Sequence, residues 1–161
     1  MKIYVGCGKD HKEGYKHCDI GQYPHIDYLC PAWNIPIPPQ SMDEIYSRHL
    51  LEHLDITKEI PKTLQHWWDR LKVGGRVRVI VPNLEYHCKQ IFKKGKSPYV
   101  ESSNFVHAMS SIYGWQNGNN YMQHKWGYTP DTLKALFKAC GYKKIKLLKS
   151  RACDIDLEAY K

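Results

Sequence analysis

A short apolar segment, Lys2–Val5, runs directly into the turn Gly6-Cys7-Gly8, and a second short segment ends eleven residues later at Asp19. Glycine has no Cβ, so such a turn can adopt dihedral angles closed to other residues and can let a ligand approach the backbone. In nucleotide-binding α/β sheets, an acid at the end of the next strand accepts hydrogen bonds from the ribose hydroxyls. The pair therefore predicts an α/β sheet that binds a nucleoside-containing cofactor.

The strand-like segments occur in an order typical of a mostly parallel sheet. The clearest is 76–81 (RVRVIV), which alternates, is rich in β-branched residues and lies between Gly75 and Pro82. The other candidates are 2–5, 16–19, 26–29, 44–46, 143–148 and 154–160. The early candidates are separated by crossover segments, whereas the last two follow one another and alternate apolar with polar residues. The order therefore predicts a parallel α/β sheet that finishes with one antiparallel strand.

Helical patterns lie between these candidates, at 48–54, 57–71, 84–94 and 129–140. In the second, apolar residues recur at helical spacing and Thr57 is a possible N-cap. Trp67 and Trp68 belong to this pattern, which favours a packing role over a substrate cage. In the last helix Thr129 is the predicted cap and Pro130 fills the first helical position.

The segment 97–128 is aromatic, contains glycines and asparagines, and has no regular period. Loops of this length in a small domain are usually functional or cover a site. With 161 residues, the chain suits one domain with one core. We therefore expect a single domain over 1–161 with an irregular insertion on the substrate side at about 97–128.

The amino-acid composition limits the classes of binding partner and the cell compartment that we expect for this chain. The formal net charge of +8 would attract nucleic acid, but lysine concentrates at 89–96 and 134–149, in patterns typical of solvated faces. The six cysteines form no CxxC pair, which favours free thiols in a reducing compartment. No apolar stretch approaches the roughly 18 residues of a membrane span, and no targeting pattern precedes the first strand. We expect a cytoplasmic protein with no membrane partner.

The glycine turn also restricts the cofactor. A dinucleotide site needs a third glycine and a helix whose N-terminus holds the pyrophosphate. The residues after Gly8, 9–14 (KDHKEG), have neither that glycine spacing nor the apolar stripe of a helix. A cofactor without phosphates fits better, and S-adenosylmethionine is the obvious candidate.

Several motifs in a fixed order carry a resemblance to a known family. They are 5–8 (VGCG), 13–15 (EGY), 18–20 (CDI), 41–46 (SMDEIY), 49–54 (HLLEHL), 68–82 (WDRLKVGGRVRVIVP) and 128–142. With them the chain resembles a class I S-adenosylmethionine-dependent methyltransferase of the compact type 11-like branch, in which a loop replaces the first helix. The resemblance implies a Rossmann-like sheet in the order 3-2-1-4-5-7-6 with strand 7 antiparallel and helices on both faces.

The resemblance also implies the cofactor site. The turn 6–8 would pass beneath the methionine part, Asp19 would accept the ribose hydroxyls and Ile20 would pack on the adenine. Where relatives often carry an acid beside the adenine this chain has Cys30, and a thiol is a poor acceptor. Either a backbone carbonyl replaces the acid or affinity is weaker. The full expected set is Gly6, Cys7, Gly8, Asp19, Ile20, Cys30, Pro31, Ser47, Arg48 and His49, the last three beside the methionine carboxylate and the sulfonium.

Methyl transfer requires alignment of donor and acceptor, and a base only where the acceptor must lose a proton. The candidate bases are His49, after the fourth strand, and His124, before the last helix. Other polar groups expected at the pocket mouth are His107, Tyr113 and Tyr128, with Asn83 at the end of the fifth strand.

The segment 49–53 (HLLEH) also matches the inverted zinc-protease motif, in which two histidines one turn apart bind zinc beside a glutamate base. The predicted helix is short and no third ligand is obvious. We therefore expect a structural Glu52 and no metal.

Three functional hypotheses remain open. The first is methyl transfer to a small molecule such as a sugar-linked metabolite. The second is methyl transfer to a polyanion such as nucleic acid, which requires basic residues clustered around the pocket. The third is a non-catalytic, cofactor-poor module, motivated by Cys30 and by the missing first helix.

Overall fold

The computed structural model describes residues 1–115 and 120–161, and these contain one seven-stranded sheet. Its strands are β1 (Lys2–Val5), β2 (Lys16–Asp19), β3 (Tyr28–Leu29), β4 (Met42–Arg48), β5 (Leu71–Pro82), β6 (Lys143–Leu147) and β7 (Asp154–Tyr160). The spatial order is β3-β2-β1-β4-β5-β7-β6, with β7 antiparallel to both of its neighbours and the other pairs parallel. The expected order and the single reversed strand are confirmed.

Four α-helices accompany the sheet in the described residues: α1 (Glu59–Arg70), α2 (Leu84–Ile91), α3 (Asn104–Tyr113) and α4 (Pro130–Ala139). Short 3₁₀ helices occupy Leu51–His53 and Asn120–Met122. The chain passes from β1 to β2 and from β2 to β3 through loops alone, so the expected replacement of the first helix by a loop is confirmed. No described helix is both long enough and apolar enough to cross a membrane.

The main core lies between α1, α4 and one face of the sheet. In β5, Val77, Val79 and Val81 point into it and alternate with Arg76 and Arg78 on the other face. Arg76 bridges Glu44 and Glu158 across three strands, so the polar face is held by paired charges. Packing of apolar side chains on one face and ion pairs on the other thus fixes the strand register.

The packing role expected of the tryptophans is confirmed. Trp67 is fully buried, and its indole Nε1 donates to the Ala32 carbonyl at 3.0 Å. Trp68 packs edge-on against Tyr142, whose hydroxyl donates to the Leu64 carbonyl at 3.0 Å. The Trp67 bond joins α1 to the loop after β3, and the Tyr142 contacts join α1 to the segment that follows α4.

Some predicted boundaries were wrong. The segment 97–128 is not irregular throughout, because it contains α3, where the Ser103 hydroxyl accepts the Val106 N–H at 3.1 Å and starts the helix. Thr57 does not cap α1; the Asp55 carboxylate accepts the N–H groups of Thr57 and Lys58 instead. The helix predicted at 48–54 is only a 3₁₀ turn, α2 ends three residues earlier than predicted, and β3 has two residues in place of four.

One buried histidine predicts acid sensitivity. His87 in α2 is 1% exposed, its Nε2 donates to the Cys153 carbonyl, and its Nδ1 has no partner among the described residues. Burial, helped by His107, lowers the pKa of His87 to about 4. Below the usual histidine pKa the unfolded state binds more protons than the folded state, so we expect the free energy of unfolding to fall by up to about 3 kcal/mol as the pH drops from about 6.5 to about 4.

Equilibrium denaturation across that range measures this effect. His87→Gln keeps an N–H donor but has no ionisable group, so it should lower stability at neutral pH and show a shallower decline towards acid. An equal decline in both proteins would place the acid sensitivity elsewhere.

Candidate active site

The carboxyl ends of β1, β2 and β4 lie side by side, because these parallel strands are adjacent. The turn 6–8 follows β1, Asp19 ends β2, and Ser47 and Arg48 end β4. The cofactor residues expected from the sequence are therefore brought to one edge of the sheet, where open α/β sheets bind their ligands.

The two glycines of the turn are required for different reasons. Gly6 has φ +70°, and a Cβ there would lie 2.8 Å from the Leu50 side chain. Gly8 has φ +54°, but a Cβ there would have no heavy atom within 4 Å. Gly6 thus allows close packing on Leu50, whereas Gly8 faces open space in which a ligand can approach the backbone.

Asp19 ties this turn to the end of β2. One carboxylate oxygen accepts the Gly8 N–H and the other accepts the Gly21 N–H, both at 2.7 Å. Each oxygen keeps a second lone pair for a further donor. The carboxylate is therefore fixed in place by the backbone and can still accept two hydroxyl groups.

Apolar side chains flank the region where an adenine is expected. Ile20 is 52% exposed and Leu29 is 59% exposed, at the ends of β2 and β3. The Cys30 thiol, followed by the half-buried Pro31, lies 3.6 Å from the Cys18 thiol. The Cys30 thiol thus contacts a buried neighbour, and a thiol is a poor acceptor for the amine of an adenine.

The six thiols are free, and three are buried. Cys7 is one of these, and burial raises the pKa of its thiol to about 12. The thiol is therefore protonated at neutral pH and is a poor nucleophile.

The end of β4 offers two unpaired polar groups. The buried hydroxyl of Ser47 has no hydrogen-bond partner among the residues described. In the same part of the chain, the half-buried Arg48 guanidinium forms no ion pair or hydrogen bond with a described residue. A free cation beside the turn 6–8 is suited to a carboxylate ligand.

The two candidate bases lie on either side of one glutamate. His49 has φ +51°, its Nδ1 donates to Glu52 Oε1 at 3.1 Å, and its Nε2 lies 3.8 Å from Asp154. His124 reaches the same neighbourhood from the segment after α3, and its Nδ1 donates to the Ser111 carbonyl at 2.8 Å. A positive φ at a non-glycine residue is uncommon and often marks a functional site.

The other polar candidates have different positions. His107 hydrogen-bonds to Ser97 at 2.8 Å and packs edge-on against His87, so it belongs to the α2–α3 contact. Tyr128 is buried and donates to the Leu51 carbonyl, which indicates a structural role. The Asn83 side chain caps α2.

The zinc-protease interpretation of HLLEH does not match the structure. Among the described residues, one group of three potential metal ligands occurs, and it comprises Glu52, His53 and His124. His49 is bound to Glu52 instead of pairing with His53. Sequence reasoning missed the proximity of His53 to His124, which are 71 residues apart, although the HLLEH motif did mark both Glu52 and His53 as candidate metal-site residues.

Comparisons with known proteins bear on the fold. No family model matches the sequence, and no curated protein matches it. Among solved structures, a SAM-dependent methyltransferase from Archaeoglobus fulgidus is 14% identical with a TM-score of 0.65 over 99% of this chain and 85% of that one. One from Methanosarcina mazei is 15% identical with a TM-score of 0.61 over 99% and 91%.

A third structure was solved with ligands. It is the 1,6-didemethyltoxoflavin-N1-methyltransferase of Burkholderia thailandensis with 1,6-didemethyltoxoflavin and S-adenosylhomocysteine bound. It is 13% identical with a TM-score of 0.65 over 99% of this chain and 70% of that one. With its strand order β3-β2-β1-β4-β5-β7-β6, the chain has the Rossmann-like fold of the S-adenosylmethionine-dependent methyltransferases.

Proposed function

We propose that the protein transfers a methyl group from S-adenosylmethionine to a small-molecule acceptor. The observation that carries the proposal is the Asp19 carboxylate, held by the Gly8 and Gly21 N–H groups beside an open glycine turn. This arrangement presents a fixed acceptor for two ribose hydroxyls at the edge where this fold binds ligands.

Neighbouring groups match the remaining parts of the cofactor. Exposed Ile20 and Leu29 offer an apolar surface to the adenine, and free Arg48 offers a cation to the methionine carboxylate. The toxoflavin methyltransferase of the same fold binds S-adenosylhomocysteine, the product of methyl transfer. Backbone groups after β3 then recognise the adenine in place of an acid at Cys30.

One of the two lysine-rich segments has its strand lysines away from the proposed cofactor site, which favours a small acceptor over nucleic acid. Lys143, Lys144 and Lys146 lie on β6, the edge strand at the far side of the sheet from β3. Charged residues on an edge strand disfavour its pairing with the sheet of another molecule. This role accounts for the lysines of β6 without a nucleic-acid ligand. This group of lysines does not surround the proposed cofactor site.

The sulfonium is a strong electrophile, so alignment of donor and acceptor supplies much of the rate. We propose that His49 is the base for a hydroxyl acceptor. Its Nδ1–H is held by Glu52, which leaves Nε2 to take the acceptor proton. His124 was the other candidate, but its position beside Glu52 and His53 suits the different role described below.

Replacement of His49 distinguishes an effect on the methyl-transfer step from an effect on cofactor binding. We expect His49→Gln to lower kcat by about 10²- to 10⁴-fold with a hydroxyl acceptor, because proton removal is lost. The affinity for S-adenosylhomocysteine, measured by calorimetry, should change by no more than a few fold. Arg48→Gln is the matched comparison and should weaken cofactor binding instead. A full-rate His49→Gln enzyme would refute the role of His49.

The proposed reaction is tested with S-adenosylmethionine tritiated in its methyl group, together with a cell extract separated into small molecules, nucleic acid and protein. Label in the small-molecule fraction supports the proposal. Label in nucleic acid or protein would replace the proposed acceptor class. Absence of label in every fraction, with S-adenosylhomocysteine still bound, would identify a non-catalytic binding module.

A further inference from the structure

The 3₁₀ helix after β4 is joined to a distant segment of the chain by backbone hydrogen bonds. The Glu52 carbonyl accepts the N–H of Lys125 at 2.7 Å and the N–H of Trp126 at 3.2 Å. These bonds bring His124 next to Glu52 and His53, whose ring lies 4.7 Å from that of His124 in an edge-on arrangement. Three potential metal ligands are thus brought together by backbone contacts.

The three side chains have the spacing of a metal site. One carboxylate oxygen of Glu52 and one ring nitrogen from each of His53 and His124 all lie within 4.8 Å of one another. Three ligand atoms that each lie about 2.0–2.2 Å from one ion are closer to one another than 4.8 Å. Small shifts of the three side chains therefore suffice to bring their ligand atoms around a common ion.

Glu52 carries an unexplained buried oxygen. Its side chain is 1% exposed, Oε1 accepts from His49, and Oε2 has no partner among the residues described. Leaving a buried carboxylate oxygen unpaired is costly, more so than for a neutral group. A cation bound at Oε2 would remove that cost.

The hydrogen bonds of the two histidines leave the correct nitrogens free. His53 Nδ1 lies 3.1 Å from the Gln123 carbonyl and His124 Nδ1 lies 2.8 Å from the Ser111 carbonyl. A carbonyl only accepts, so each Nδ1 carries the proton and each Nε2 keeps its lone pair. Metal-binding histidines are typically oriented in this way by a backbone carbonyl.

A cavity adjoins these groups. Its volume is about 10 Å³, and its lining includes Glu52, Ser111, His124 and Tyr128. This volume holds about one water-sized particle. Two imidazoles and one carboxylate form a ligand set found in zinc sites that keep a fourth position open.

We propose that Glu52 Oε2, His53 Nε2 and His124 Nε2 bind one Zn²⁺ ion, whose fourth position faces this cavity. The ion neutralises the buried carboxylate and fixes the segment before α4 to the end of β4. Zinc binding and cofactor binding are tested separately, because Glu52, His53 and His124 are not among the residues proposed to bind S-adenosylmethionine.

Calorimetric titration of ZnCl₂ into protein dialysed against a chelator tests the site. We expect one zinc per chain and a rise in the thermal midpoint with zinc, because the ion binds the folded state. His124→Asn and His53→Asn should each lose more affinity than the about 10- to 100-fold that follows loss of a ligand's supporting hydrogen bond. Glu52→Gln should lose zinc affinity to a similar extent if the variant folds. If it does not fold, the two histidine variants alone decide the result.

Two control variants exclude other zinc-binding groups. His11→Asn disrupts the packed rings of His11, His17 and His25, and Cys30→Ser disrupts the Cys18–Cys30 thiol contact. Both should bind zinc as tightly as the wild type. With Co²⁺ in place of Zn²⁺, the spectrum should show tetrahedral coordination without thiolate charge-transfer bands. Absence of binding in the wild type, or binding lost only in a control, would overturn the proposal and leave a single buried water as the occupant of the cavity.

Discussion

Asp19→Ala should weaken the binding of S-adenosylhomocysteine by about 1.5–3 kcal/mol, roughly 10- to 150-fold, which is the effect of removing hydrogen bonds to a charged group. The carboxylate is the proposed acceptor for the ribose hydroxyls, and it also fixes the turn through Gly8 and Gly21. Calorimetry gives the affinity, and urea denaturation gives the stability of the same protein.

The matched control is Asp10→Ala. Asp10 lies in the same loop and is exposed, and among the described residues its side chain accepts only a long hydrogen bond from the Tyr4 hydroxyl at 3.4 Å. We expect its affinity for S-adenosylhomocysteine to remain within about twofold of the wild type, since solvent-exposed charges interact weakly. Equal affinities of the Asp19 and Asp10 variants, with both folded, would show that Asp19 does not hold the ribose.

Alanine at the two glycines of the turn should separate folding from binding. Gly6→Ala combines a left-handed backbone, which costs about 1–2 kcal/mol, with overpacking against Leu50, which costs about 1–3 kcal/mol. We expect it to lose about 2–5 kcal/mol of unfolding free energy. Gly8→Ala has the backbone cost alone, because no heavy atom lies within 4 Å of the added methyl group.

The expected loss in Gly8→Ala is cofactor affinity, because the new methyl group occupies the space through which the ligand approaches the backbone. Urea denaturation and S-adenosylhomocysteine titration of both variants measure the two effects. If Gly8→Ala binds as well as the wild type, the cofactor does not pass over this turn. If Gly6→Ala is as stable as Gly8→Ala, the Leu50 contact is not restrictive.

The predictable part of the fold came from local patterns. The alternation in β5, the cap of α4 and the glycine turn after β1 each appear within a few residues of sequence, because backbone preferences act locally. The strand order came from the resemblance and is confirmed. The helix α3 was missed although Phe105, Met109 and Ile112 recur at helical spacing, because the glycines and asparagines of 97–128 indicated a loop for the whole segment.

The candidate site also has a part that the sequence predicts and a part that it does not. The proposed cofactor residues follow strand ends, so sequence position predicts that they meet at one edge of the sheet. The contact of Asp19 with Gly21 and the outward exposure of Ile20 depend on side-chain placement. The meeting of His124 with Glu52 joins residues far apart in the chain through backbone bonds, and no local pattern encodes such a contact.

Titration of S-adenosylhomocysteine into the wild-type protein is the most direct test of the proposed cofactor site, because the product binds where the donor binds and does not react. We predict saturable heat with one ligand per chain, together with an increase in the thermal midpoint. Folded protein that shows neither heat nor stabilisation at millimolar ligand would contradict the assignment of Asp19 and the glycine turn to S-adenosylmethionine.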